Sequence, residues 1–355
     1  MLFSLCPPWL RVIIGFSLLD FKTIFRILKK MKIVECIPNI SEGKDIGKIE
    51  AIIEEAKNVE GAYLLDVYTG SSTNRSVLTL AGDPGAIKKV IFRIFKKTSE
   101  LIDMSKHKGV HPRIGAIDVC PFIPVGNITM KECVDIAEEV AQKVAAELGI
   151  PVYLYGESAK EEKRKDLANI RKGGYEGLKE KIKNPEWKPD FGKSEFNEKS
   201  GASVVGARDF LIAFNINLKT KDKNLANTIA KSIRKSSTLK GIRVIGWYIE
   251  ELGCAQVSTN VINYRATPLY ILFEEVKKES RRLRLEVTGS ELVGLVPEEA
   301  LLETGKFYLS ESLLNRENSK KLIIDAAVSG LGLSDKYKFD PRKKILEYRI
   351  KKEML

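Results

Sequence analysis

Read from Met31 onward, the chain runs through one order of elements and then runs through it again, and this repetition limits its possible folds more than any other feature. Residues 33–38 read as a short apolar strand. A helix over about 45–57 follows, with Ile46, Ile49, Ile52, Ile53 and Ala56 on one face. Strands come next near 62–67 and 75–81. Asp83-Pro84 then opens a helix, a capping carboxylate with proline at the first helical position, and Ile87, Val90, Ile91 and Phe95 face inward. A strand over 114–123 completes a β-α-β-β-α-β unit, the ferredoxin-like order. A helix with a capping box (Thr129 and Glu132) runs on to Gly149, and residues 151–155 form a last strand.

The second half repeats the grammar. Residues 210–216 read as a strand, and Thr220 caps a helix bearing Leu225, Ile229 and Ile233. Strands at about 243–249 and 254–261 precede a helix from Pro268 with Leu269, Leu272, Phe273 and Val276 inward, and a strand near 284–288 closes the unit. From Asn39 to Pro124 is 85 residues, and from Asn215 to Pro297 is 82, so the two units also match in length. The expectation is an α+β protein of two ferredoxin-like subdomains facing one another across a cleft. Residues 31–207 form one subdomain, 208–335 the other, and 336–355 a C-terminal tail.

Between the halves, residues 160–188 hold ten Lys and Arg against six Asp and Glu around Ile170, Tyr175, Leu178 and Ile182, which reads as a solvated helix face. It leads into Asn184-Pro-Glu-Trp-Lys-Pro-Asp-Phe-Gly192, read as extended, and a polar loop over 193–201 placed to close over the cleft. Residues 1–30 differ from everything after them. They carry a net +4 of the formal +12, and they nowhere offer the ~18 uninterrupted apolar residues of a membrane span. They also lack a small-residue cleavage site before Met31. The expectation is an extension from an upstream start, with membrane anchoring the lesser reading. Five widely spaced cysteines without a C-x-x-C pair fit a reduced, cytoplasmic chain.

The chain has only two histidines, His107 and His111, so any imidazole chemistry sits in His107-Lys-Gly-Val-His111-Pro-Arg-Ile-Gly115. A zinc pair on a helix is not expected. Gly109 and Pro112 oppose the helix, no H-E-x-x-H glutamate is present, and no third histidine or cysteine pair stands near. His111 is held by the proline that follows it, has a cation nearby in Arg113, and stands at the entry to a strand. That suits a general acid/base, although a structural histidine would fit the same pattern. Polar loops that could join it are Pro38-Asn39-Ile-Ser41-Glu42-Gly43, Gly70-Ser-Ser-Thr73-Asn74-Arg75 and the strand carrying Gln256, Ser258, Thr259 and Asn260.

Several of these strings, taken together, resemble the glutamate formiminotransferases: Val34-Glu-Cys-Ile-Pro-Asn-Ile-Ser-Glu-Gly43, Leu64-Leu-Asp-Val67, Ser72-Thr-Asn-Arg75 and His111-Pro-Arg-Ile-Gly-Ala-Ile-Asp-Val-Cys-Pro-Phe-Ile-Pro-Val125. So do Pro151-Val-Tyr-Leu-Tyr-Gly-Glu157, Trp187-Lys-Pro-Asp-Phe-Gly192, Phe210-Leu-Ile-Ala-Phe-Asn-Ile-Asn-Leu218 and Ala255-Gln-Val-Ser-Thr-Asn260. The likeness runs from about Lys32 to the end of the chain, without the cyclodeaminase domain fused to the animal members.

The resemblance implies transfer of a formimino group from N-formimino-L-glutamate to N5 of tetrahydrofolate as co-substrate, giving 5-formiminotetrahydrofolate and L-glutamate, a step of histidine breakdown. It implies a homodimer and no metal. The family's catalytic base matches His111, and its folate-contacting loop matches Gly192-Lys193-Ser194-Glu195-Phe196-Asn197-Glu198-Lys199-Ser200-Gly201. Arg75 and Arg113 are candidates for substrate carboxylates, and Asn39 and Asp118 for orienting the imidazole or the pterin. One departure stands out: animal members carry an acid where this chain has Tyr68, so if that acid helps catalysis, Asp66 or another carboxylate must substitute, or the activity differs. Two other readings remain. One is a relative that transfers a formyl group between 5-formyltetrahydrofolate and glutamate. The other is a nucleic-acid-binding module drawn from the positive charge, which lacks the aromatic strand signature of RNA-binding sheets.

Overall fold

The computed structural model describes residues 31–310 and 319–354; the leader expected over 1–30, with Cys6, lies outside them. In the first half the expected opening strand is broken. β1 (Ile33–Cys36) and β2 (Asn39–Ile40) flank Pro38, which has no N–H to give to a ladder. After α1 (Ile46–Lys57) come β3 (Ala62–Gly70) and β4 (Arg75–Gly82), then α2 (Pro84–Leu101), β5 (Ile117–Gly126) and α3 (Met130–Leu148). The Asp83 cap and the Thr129–Glu132 capping box both form. β3 pairs with β4, β4 with β1 and β2, and these with β5, every pair antiparallel. If the β1–β2 pair counts as the first of four strands, the sheet runs two-three-one-four.

Two further strands extend this sheet. β6 (Val152–Gly156) is the expected last strand, while β7 (Ser203–Ala207) falls where no element was expected. β7 lies parallel between β5 and β6. Every residue of β7 is buried, so its Ser-Val-Val-Gly-Ala string shows no alternation to read. The charged stretch between them is not one solvated helix. It makes α4 (Glu162–Lys165), α5 (Leu167–Arg171) and α6 (Gly174–Lys181), then a single 3₁₀ turn over Pro185–Trp187 where an extended chain was expected. Arg164 within it is buried and pairs with Asp190 at 2.9 Å.

In the second half, β8 (Ile212–Leu218), α7 (Lys223–Lys235), β9 (Ile242–Ile249), β10 (Cys254–Val261), α8 (Leu269–Arg282) and β11 (Val287–Val293) follow in the expected order. The strand order β11-β8-β10-β9 repeats that of the first half, again all antiparallel. Two details differ from expectation. Asp222, not Thr220, caps α7, accepting from the Asn224 backbone N–H. The last strand begins three residues late, after a turn in which Arg284 takes a φ of 56°. Beyond it come α9 (Glu298–Tyr308), α10 (Ser319–Gly330), α11 (Pro341–Lys344) and α12 (Leu346–Met354).

Strand alternation then dictates where a cleft can be. In the first sheet Val34, Cys36, Leu78, Leu80, Cys120 and Phe122 pack into one core with α1, α2 and α3. Their neighbours Ile37, Asn39, Val77, Thr79, Val119 and Pro121 face the other way. In the second sheet Phe214, Ile216, Val244 and Val257 pack with α7 and α8, and Ala213, Asn215, Ile245, Trp247, Ser258 and Asn260 face the opposite side. The two helix-free faces look at each other across a cleft of about 1550 Å³. The tail closes the far side: Arg349 Nε donates to the Leu65 carbonyl at 2.8 Å, and Leu346 packs with Ile33, Leu65 and Ala81.

Candidate active site

The segment after α2 carries both histidines and stays irregular because its neighbours require it. A Cβ at Gly109 would stand 2.5 Å from the Thr73 carbonyl oxygen, so only glycine lets this segment lie against the β3–β4 turn. Asn74, held at a φ of 47°, ties three segments together. Its Oδ1 accepts from Gly43 N at 2.9 Å, its Nδ2 donates to Lys108 O at 2.9 Å, and its own carbonyl meets His107 Nε2 at 2.9 Å. That carbonyl can only accept, so His107 Nε2 carries the proton and Nδ1 accepts from Arg113 Nε at 3.1 Å. Both ring nitrogens are committed. His107 is a structural residue.

His111 is different. It lines the cleft, and its Nδ1 lies 2.8 Å from the Pro112 carbonyl. Nδ1–H must therefore donate, and the Nε2 lone pair has no partner among the described residues. Burial, then the charges of Arg75 and Arg171, lower its pKa to about 3, so the ring is neutral through the physiological range. Beneath it Asp118, fully buried, bonds Arg75 at 2.8 Å and also Arg171, and accepts from Ile114 N at 3.0 Å. Burial alone would raise the Asp118 carboxyl, but Arg171 and Arg75 together hold it at about 2. Arg75 also donates to Asn39 Oδ1 at 2.9 Å, and burial brings its pKa down to about 10. Two guanidinium groups thus share one carboxylate, leaving one net positive charge that acts on the His111 ring.

Of the residues singled out from sequence, Asn39, Arg75 and His111 line the cleft, with Asp118 bonded directly behind them. Arg113 does not reach it. Its guanidinium is engaged by both Glu176 oxygens at 2.7 and 2.8 Å and by His107, so it is not available to a substrate carboxylate. Residues 192–201 do not line the cleft either. Lys193, Ser194, Glu195 and Glu198 are exposed, Gly192 turns the chain at a φ of 89°, and Gly201 bridges to Gly115. Phe196 packs on Tyr175 with ring centres 5.4 Å apart, and Asn197 Nδ2 donates to Gly149 O at 3.2 Å. This segment braces the His111 loop at both ends: Lys199 O accepts from Met104 N at 2.8 Å, and Ser200 O accepts from Ala116 N at 2.9 Å.

Asp66, the carboxylate offered as a substitute near Tyr68, pairs with Lys344 at 3.4 Å. On the second sheet Ser258 and Asn260 line the cleft, while Thr259 points to the other face and donates to Phe214 O. Sequence reading missed Arg171, Trp247 and Glu291, all of which line the cleft. For Arg171 a signal existed: Gly173 and Gly174 both take positive φ, so the chain bends there instead of continuing as a solvated helix.

Residues 33–208 match the family described as Formiminotransferase domain, N-terminal subdomain, and residues 213–351 match the Formiminotransferase domain. The chain is 47% identical over 329 residues to the formimidoyltransferase-cyclodeaminase of Gallus gallus, covering 90% of this chain and 60% of that protein. It is 46% identical over 279 residues to the glutamate formimidoyltransferase of Streptococcus pyogenes, covering 78% of this chain and 93% of the relative. A glutamate formimidoyltransferase of Thermoplasma acidophilum is 44% identical over 282 residues, with 79% and 93% covered. The chain therefore spans about three fifths of the fused animal protein. Likeness to solved structures is slight, a microcompartment protein of Desulfitobacterium hafniense giving a TM-score of 0.20 at 9% identity over 74% of this chain and 94% of that one.

Proposed function

Because the chain belongs to the formiminotransferase family, we propose that its cleft moves the formimino group of N-formimino-L-glutamate to N5 of tetrahydrofolate. The observation that carries this reading is the pairing of one imidazole, its Nε2 free, with the surplus positive charge of Arg75 and Arg171. Both substrates bear carboxylates, and a guanidinium holds a carboxylate through parallel hydrogen bonds. Lys172 and Arg208, also in the cleft lining, add to that field.

The step balances through one histidine. N5 attacks the formimino carbon and its proton passes to His111 Nε2. When the bond from that carbon to the glutamate nitrogen breaks, the same imidazolium returns the proton to the departing amine. A group placed this way contributes about 10²–10⁴ in rate. Nδ1–H keeps its bond to Pro112 O throughout and fixes the ring. Substrate carboxylates that settle on Arg75 and Arg171 offset the charges that depress His111, so its basicity rises as the site fills. Residues 192–201, matched to the folate loop, act in this reading by holding the His111 loop in place.

The test is an ultraviolet assay of the purified chain with tetrahydrofolate and formiminoglutamate, run beside 5-formyltetrahydrofolate with glutamate. Accumulation of 5-formiminotetrahydrofolate is the expected result. Release of tetrahydrofolate from the formyl donor, with no turnover of formiminoglutamate, would replace formimino by formyl transfer.

A further inference from the structure

Opposite the cationic wall, the second sheet holds a chain of amides that ends on a carboxylate. Trp247 has only an N–H to offer, and it donates to Gln256 Oε1 at 2.9 Å. That fixes the Gln256 amide, whose Nε2 then donates to Asn217 Oδ1 at 2.7 Å and Glu291 Oε1 at 3.1 Å. Asn215 Nδ2 donates to the same Glu291 oxygen at 3.0 Å. Gln256 and Asn217 are fully buried, and Asn217 Nδ2 has no partner among the described residues. Glu291 Oε1 is thus saturated by two amides. Oε2 accepts from no described residue, and the side chain lines the same cleft as Tyr68, Trp247 and Tyr337. Burial and then the Glu291 charge push the Tyr68 hydroxyl up to about 12, which places that carboxylate near the tyrosine across the cleft.

We propose that Glu291 Oε2, flanked by Tyr68 and Trp247, reads the N–H donors on the aminopyrimidinone edge of the folate. The inference rests on the folate reading above and names a subsite within it. A carboxylate held by amides and left with one free oxygen is an acceptor for N–H groups. A formimino donor also carries N–H groups, on its amidinium. Three aromatic side chains in the same cleft, Tyr68, Trp247 and Tyr337, favour a flat ring over a small cation. The carboxylate-bearing ends of the substrates suit Arg75 and Arg171, and the donor-bearing ring suits Glu291 on the facing sheet.

The experiment compares binding of 5-formyltetrahydrofolate and its 2-desamino counterpart, without glutamate, by titration calorimetry on the full chain and on Glu291→Gln. The wild type should bind the desamino ligand about 10- to 100-fold more weakly, the range expected for a hydrogen bond to a charged acceptor. In Glu291→Gln that ratio should fall below about threefold, while binding of formiminoglutamate and the melting temperature stay unchanged. A ratio that persists in the variant overturns the proposal. So does a variant that weakens formiminoglutamate instead, which would put the amidinium at Glu291. A wild type that binds neither folate overturns the subsite and the folate reading together. One that discriminates as expected yet transfers no formimino group overturns only the reaction.

Discussion

His107 and His111 stand four residues apart, and their partners give them opposite parts. Sequence showed that imidazole chemistry had to lie in this pair, but the hydrogen-bond partners of each ring are set by long-range packing and could not be read. The same holds for Arg113 and Arg171. Arg113 adjoins the histidine in sequence yet is held by Glu176, while Arg171 lies 60 residues from His111 and reaches Asp118 in the fold. The depressed basicity of His111 leads to a prediction about pH. In the proposed transfer His111 must be neutral to act as base, and the empty site keeps it neutral to about pH 3. Once substrate carboxylates offset Arg75 and Arg171, protonation comes at higher pH. The acid limb of kcat should therefore lie above that of kcat/KM, since the first reports the filled enzyme and the second the free one. Coincident limbs would show that His111 does not feel the substrates.

Elements with a local signal were legible: the Asp83 cap with Pro84, the Thr129–Glu132 box, and the polar strand that puts Ser258 and Asn260 into the cleft. β7 was not, because a strand buried on both faces has no polar–apolar period, and the charged stretch hid Arg164 among solvated neighbours. The irregular segment from Ile102 to Ala116 depends on Gly109. Gly109→Ala would drive a methyl against the Thr73 carbonyl and push the His111 loop off the β3–β4 turn. Transfer activity should fall more than tenfold, with a stability loss of about 1–3 kcal/mol. Thr129→Ala, far from the cleft, should cost about 1 kcal/mol and leave activity intact. Equal activity in both variants by the ultraviolet assay would count against the loop's role.

Across the whole molecule the repeated order of elements was readable, but the joints between the halves were not, since each joins residues far apart in sequence. Ser71 Oγ donates to Glu251 at 2.8 Å between the two hairpin tips, Arg243 pairs with Asp166, and α12 lies against β3. Glu35 on β1 belongs to this joint. It is buried, its Oε2 has no hydrogen-bond partner among the described residues, and burial, against the pull of Arg208, raises its pKa to about 8. The folded state therefore keeps a proton that the unfolded chain gives up near 4.5, and stability drains away as pH rises from there to about 8. Glu35→Gln removes that loss. Its melting temperature relative to wild type should climb between pH 5 and pH 8, and a constant difference would mean that Glu35 is ionised in the fold.

In the proposed reaction two facing sheets hold folate and a formimino donor while His111 Nε2 carries the proton between them. Its most direct test is single-turnover formimino transfer by His111→Ala, measured beside folate binding to the same protein. The transfer rate should be lower by about 10²–10⁴ with folate affinity within a few-fold of wild type. A variant that binds folate normally and transfers at the wild-type rate would contradict it.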